Sequence, residues 1–202
     1  ETGVCDSAGA LRHYRGSIYA TNRSDGADRT INDVDIEAYL RGVIPRESPA
    51  SWADRAGGAG INALRAQAVA ARSYALAQGG NYAGKRYPHA KTCDTDSCQV
   101  YGGSGSRVNP SAAVVVLEDP RTDRAVADTV GVIRIREPYP NMPVSTEFSS
   151  SNGDRTAGIN FVPVDDDGDK QDVNPWSRWT RVLSAPALAS RYGLSKITKV
   201  EM

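Results

Sequence analysis

The sequence predicts an α+β chain, rich in strands, with one long alanine-rich helix and one or two shorter helices. Two observations carry this. Apolar residues recur at helical spacing over only a few stretches, the longest being 61–78. Elsewhere, short runs of valine and isoleucine alternate with clusters of turn-forming residues. A length of 202 residues suits one domain, with room for two lobes flanking a cleft. At 40% apolar and 24% charged residues, the chain has enough material for a core and is not of the disordered class.

The elements follow in order. Residues 11–20 read as a strand and 21–30 as a polar hairpin loop, so 1–30 form an N-terminal strand and loop region ahead of a main domain over 31–202. Residues 31–34 are a short strand. Asp35 is a helix N-cap, and Ile36, Tyr39, Leu40 and Val43 follow at helical spacing until Pro45 ends the helix, with Glu47 just beyond. The glycines of 57–60 predict a flexible link. Leu64, Ala68, Ala71 and Ala75 stripe the long helix, which Gly79 and Gly80 terminate. Residues 87–105 read as loop, 112–117 and 130–135 as buried strands, and the charged stretch 118–128 as a solvated connection. A strand at 144–148 runs into a polar turn at 149–153. After the acidic loop 165–169 come a strand at 179–183, a short helix at 186–192 and a last strand at 197–200.

Charge excludes some functions. Lys plus Arg equals Asp plus Glu at 24 each, so no basic excess marks a nucleic-acid binder. No apolar run approaches the ~18 residues of a membrane helix. With only His13 and His89, a histidine-only metal site or a Ser/His/Asp triad has few candidates. The chain opens on Glu1 rather than Met, as a processed, secreted fragment would.

Three groups of residues could carry chemistry. Glu47 lies between Pro45 and Pro49 on stiff backbone; against an apolar wall its carboxyl would hold a proton at neutral pH. Arg65 and Arg72, seven residues apart on the long helix, share one side and could face a groove. His89, Cys93 and Cys98 are of the types that bind zinc, yet Cys93 and Cys98 are also close enough for a small disulfide loop, leaving Cys5 unpaired. The acidic loop fails the calcium-loop register, and Trp176 and Trp179 could stack on sugar rings or, the simpler role, pack in the core or at an edge.

Taken together, four motifs resemble the stage II sporulation protein D family, the SpoIID/LytB domain. They are the stretch 35–47 ending in Ile44-Pro45-Arg46-Glu47, the helix 63–76, the Cys93 to Gly103 segment with Gln99-Val100-Tyr101, and the Ser149-Ser150-Ser151-Asn152-Gly153 turn before Arg155-Thr156. The Asn174-Pro175-Trp176 stretch follows in the same order, so the likeness spans about 31–190. Ser48 stands where the family usually has methionine.

The resemblance implies an extracellular, wall-associated bacterial protein whose ligand is the peptidoglycan glycan strand. Members that are enzymes are lytic transglycosylases, particularly on strands stripped of stem peptides; others enhance a cell-wall amidase. The family's catalytic acid maps to Glu47. A lone carboxylate suffices: it protonates the leaving oxygen of the MurNAc–GlcNAc bond, then takes the proton of the sugar's own C6 hydroxyl, which closes into a 1,6-anhydro end. Arg65, Arg72, Gln99, Tyr101, Ser149 and Ser150 are expected to line the cleft. No cofactor is required, and a structural zinc on His89, Cys93 and Cys98 is the family's alternative to the disulfide. The alternative function is a non-catalytic wall-binding module that stimulates an N-acetylmuramoyl-L-alanine amidase.

Overall fold

A computed structural model of the chain describes residues 2–5, 9–22, 28–82, 90–156, 162–169, 174 and 180–199. The chain divides into two compact units, Glu1–Phe148 and Ser149–Met202. The class is α+β, as the pattern predicts.

In the first unit three helices share one core. Helix α1 (Ile36–Glu47) starts where Asp35 accepts a 2.8 Å hydrogen bond from the Glu37 N–H. It buries Tyr39, Leu40, Val43 and Ile44. The helix does not stop at Pro45 but runs to Glu47. A proline in the last turn removes only one intrahelical bond, and the Ser48 N–H still closes onto the Ile44 carbonyl at 2.9 Å. Helix α2 (Ile61–Tyr82) buries the predicted stripe of Leu64, Ala68, Ala71 and Ala75. It continues through Gly79 and Gly80, since glycine weakens a helix by only about 1 kcal/mol per residue.

Helix α3 (Pro120–Ala127) occupies the stretch read as a solvated connection. Asp119 caps it, Pro120 opens it with a preset φ, and Thr122, Ala125 and Val126 face inward. The small side chains of α2 let α1 and α3 pack on it. The main core joins Tyr39, Leu40, Val43, Ile44, Ala68, Ala71, Ala75, Tyr101 and Val126; a smaller cluster holds Ala53, Leu64 and Ala125. The glycine-rich 57–60 link is not loose chain: two short 3-10 turns, Ala50–Asp54 and Ala56–Gly58, lead into α2.

The strands are short and antiparallel. Strands β1 (Thr2–Cys5), β2 (Leu11–Tyr14), β5 (Gly105–Arg107) and β6 (Val115–Val116) form one sheet in the order β1-β2-β5-β6. The single strand predicted at 11–20 is two, because β3 (Ser17–Asn22) turns away to pair with β4 (Asp28–Asp33). Strands β7 (Ile135–Arg136) and β8 (Tyr139–Pro143) form a third pair. The valine runs at 112–117 and 130–135 contribute only two and one paired residues, and Val115, Val116, Val130 and Val132 are exposed. No strand forms at 144–148; instead the Thr146 hydroxyl donates to the Ala70 carbonyl at 2.6 Å.

The second unit contains helix α4 (Ala185–Arg191), capped by Ser184, close to the predicted 186–192. The strands expected at 179–183 and 197–200 are absent from their described residues, 180–183 and 197–199.

Candidate functional site

Glu47 ends α1 and is half-buried. Its Oε1 accepts the Val100 N–H at 2.8 Å, while Oε2 has no hydrogen-bond donor among the described residues. The segment that supplies this N–H is held tightly. Gln99, 1% exposed, accepts from the Tyr39 hydroxyl at 3.2 Å and donates to the Ala71 carbonyl at 3.3 Å, so it ties the segment to α1 and α2 together. The Tyr101 ring packs in a tilted arrangement, its centroid 4.8 Å from that of Tyr39 and 5.8 Å from that of Tyr14, and its hydroxyl donates to Asn32 Oδ1 at 2.9 Å. Burial, then the neighbouring Tyr101 and Glu47, push the Tyr39 phenol well above its usual value. Burial pushes Tyr101 up to about 12. Both phenols therefore stay neutral donors at any physiological pH.

Two glycines make the approach possible. The Gly102 N–H donates to the Gly42 carbonyl at 3.2 Å, helix to loop. A Cβ at Gly42 would lie 2.6 Å from Tyr101 Cε2 and 3.0 Å from the Gly103 carbonyl oxygen. A Cβ at Gly102 would fall on the guanidinium of Arg46.

Cys93 and Cys98 are joined in a disulfide that closes the loop just before this segment, and the Tyr101 N–H returns to the Asp94 carbonyl at 3.2 Å. Zinc needs thiolates, and bonded sulfurs offer none, so the expected ligand pair does not fit a metal in this state. His89 lies outside the described residues, as do Trp176 and Trp179. Cys5 is free and exposed on β1.

The expected cleft residues fall in different places. Arg72 is 1% exposed: its Nε and Nη2 grip both oxygens of Glu37 at 2.8 and 2.6 Å, and Nη1 donates to the Val132 carbonyl at 2.9 Å. It fastens α1 to α2 and has no face to offer a groove. Gln99 and Tyr101 are likewise enclosed, as supports for the Val100 amide. Arg65 is half-exposed and binds Asp128 and Asn62.

Ser149 and Ser150 are exposed in the second unit, where the Ser149 hydroxyl donates to the Ser151 carbonyl at 2.9 Å. That turn has its own organiser. Asp169 Oδ2 accepts the N–H groups of Asn152 and Gly153 at 2.8 and 2.7 Å, and the Ser151 hydroxyl donates to it at 2.9 Å. Burial alone would raise this carboxyl; bonds from Ser151, Asn152, Gly153 and Asp154 outweigh burial and hold it below the usual 3.8. The roles of Val100, Tyr39 and Asp169 were not expected. A consecutive Ser-Asn-Gly turn offers aligned N–H groups, and the acidic loop nearby supplies the acceptor, a signal present in the sequence.

The family model for the stage II sporulation protein, SpoIID, matches residues 24–135, more than half of the chain. The chain belongs to the SpoIID family. Over 156 residues it is 31% identical to the amidase enhancer of Bacillus subtilis (strain 168), a match covering 75% of this chain and 18% of that protein. The chain thus spans less than a fifth of that relative. No solved structure matches. The SpoIID match takes in Glu47, the Val100 amide, the disulfide and all three helices of the first unit, and ends before the Asp169 turn.

Proposed function

We propose that this SpoIID chain is an extracellular, wall-associated module that engages peptidoglycan glycan strands and stimulates an N-acetylmuramoyl-L-alanine amidase. The observation that carries this reading is the match to an amidase enhancer over 75% of the chain. The locked arrangement of α1, α2 and the 99–102 segment supports it, because a rigid surface binds a semi-rigid glycan with little ordering cost.

The Glu47 geometry favours a second reading, a lytic transglycosylase. The Val100 N–H needs a lone pair on Oε1, so the proton of a neutral Glu47 sits on Oε2, the oxygen without a donor. That proton would pass to the glycosidic oxygen between MurNAc and GlcNAc, breaking the C1–O bond as oxocarbenium character develops. The resulting carboxylate would then remove the C6 hydroxyl proton as that oxygen closes onto C1. The nucleophile belongs to the substrate, so a second carboxylate is not needed. Tyr39 and Gln99 would act through the Val100 amide as positioning residues.

One experiment separates the two. Purified sacculi and peptide-stripped glycan strands are treated with the chain, with a wall amidase, and with both, using Glu47→Gln in parallel. Faster peptide release with no new glycan ends, equal in wild type and variant, supports the enhancer. New 1,6-anhydro ends that fall about a hundredfold or more in Glu47→Gln support the lyase. No stimulation, no binding to strands and no new ends would remove both readings.

A further inference from the structure

We propose that Phe148, packed in a T-shaped contact with Tyr74, is a stacking platform for a pyranose ring of the glycan strand. The inference rests on the glycan-binding reading above and adds a subsite to it. It starts from the exposed aromatic rings of the first unit, which among the described residues are Tyr19, Trp52 and Phe148. Of these three, Phe148 is the one packed against a second ring. Its centroid lies 6.3 Å from that of the half-buried Tyr74, and the two planes meet at 62°. Core packing does not account for it, since Phe148 keeps 37% of its surface in solvent. A T-shaped contact uses the edge of one ring and one face of the other, so it fixes the orientation of the pair and leaves a ring face uncovered.

The pair is built on the same turn of α2 as the Glu47 anchor. The Thr146 hydroxyl donates to the Ala70 carbonyl at 2.6 Å and so fixes the segment that carries Phe148. Gln99 donates to the next carbonyl, that of Ala71, at 3.3 Å, and fixes the segment whose Val100 N–H holds Glu47. The two carbonyls belong to consecutive residues, about 1.5 Å of rise apart along the helix. Tyr74 follows three residues after Ala71, on the same side of α2. The Tyr39 phenol senses the same neighbourhood: burial raises it most, and Tyr101, Glu47 and Tyr74 add to that. The candidate acid and the aromatic pair therefore lie within electrostatic range of one buried hydroxyl.

This setting selects the ligand. In β-1,4-linked GlcNAc and MurNAc the ring substituents are equatorial, so each sugar offers flat C–H faces rimmed by polar groups. Such a face stacks on an aromatic ring while its rim stays hydrated or hydrogen-bonded. The residues just before Phe148 are Ser145, Thr146 and Glu147, a polar run that suits a hydroxyl-rimmed sugar better than the apolar patch of a protein partner.

The test is calorimetric binding of the whole chain to purified, peptide-stripped glycan strands. Phe148→Ala should bind about tenfold or more weaker. Phe148→Leu should lose as much, because it restores apolar bulk without a flat ring. Phe148→Trp should bind at least as tightly as wild type. Fluorescence of its added indole, taken as the difference from wild type, should shift to shorter wavelength as strands are added, a readout of contact that does not depend on a loss. Circular dichroism and thermal unfolding matched to wild type identify the folded variants. Wild-type affinity in Phe148→Ala, full binding in Phe148→Leu, or an unmoved indole emission overturns the platform while leaving the glycan-binding reading intact. No binding by wild type ends both.

Discussion

Gly42 shows how much one missing methyl group decides. The Gly42 carbonyl accepts from Gly102, and the Tyr101 ring lies against its Cα, so α1 and the Val100 segment meet there at backbone distance. Gly42→Ala should destabilise the chain by about 1–3 kcal/mol through overpacking, read as a lower urea midpoint. An unchanged midpoint would mean that Tyr101 moves aside freely. Arg72 makes the complementary case. Arg72→Leu strands the Glu37 carboxylate and the Val132 carbonyl; loss of such charged hydrogen bonds should cost about 2 kcal/mol or more. Glycan binding by the folded fraction should stay as in wild type, whereas a loss of binding without a loss of stability would return Arg72 to the cleft. From sequence alone, a long polar residue on an alanine-rich helix looks free. Its partner Glu37 is 35 positions away, and only the packing of α1 on α2 brings them together.

At the scale of elements, the periodic helices were the most legible and the irregular parts least. The stripe of α2 needs one face buried, and one face is what 3.6-residue spacing announces. Helix α3 was hidden by Arg121, Asp123 and Arg124, which suggest a solvated link; its Asp-Pro start was the readable signal. Valine runs misled in the opposite direction, since β propensity without a partner strand gives no ladder.

The loop closed by Cys93 and Cys98 carries the element-level consequence for the site. Reduction should release roughly 2 kcal/mol of chain-entropy constraint. Hydrogen exchange at the Val100 and Tyr101 amides should then quicken before that of α2; equal rates in both states would make the disulfide irrelevant to the Glu47 anchor. The Asp169 turn predicts a pH effect of defined sign. Its carboxyl is lowered in the fold, so its contribution is present above the usual value of 3.8 and is lost as pH falls through the lowered one. The Asn152 and Gly153 amide resonances should hold steady from neutral pH to about 4 and shift below it, and Asp169→Asn should show the shifted positions at neutral pH.

For the whole molecule, the division at Phe148 has a direct test. Every residue of the main core lies within the first unit. A 1–148 fragment should therefore keep its helical circular dichroism and unfold cooperatively; a non-cooperative melt would show that residues 149–202 complete the core. What the sequence by itself determined was the α+β class, the SpoIID likeness, Glu47 as candidate acid, and the cap and buried stripe of the helices. These follow from local spacing, capping chemistry and ordered motifs, all of which are written along the chain. Only the tertiary structure decided that Arg72, Gln99 and Tyr101 are enclosed supports and that a backbone N–H at Val100 holds Glu47. Those are matters of which charges and amides meet across the core, and distance along the chain carries no record of them.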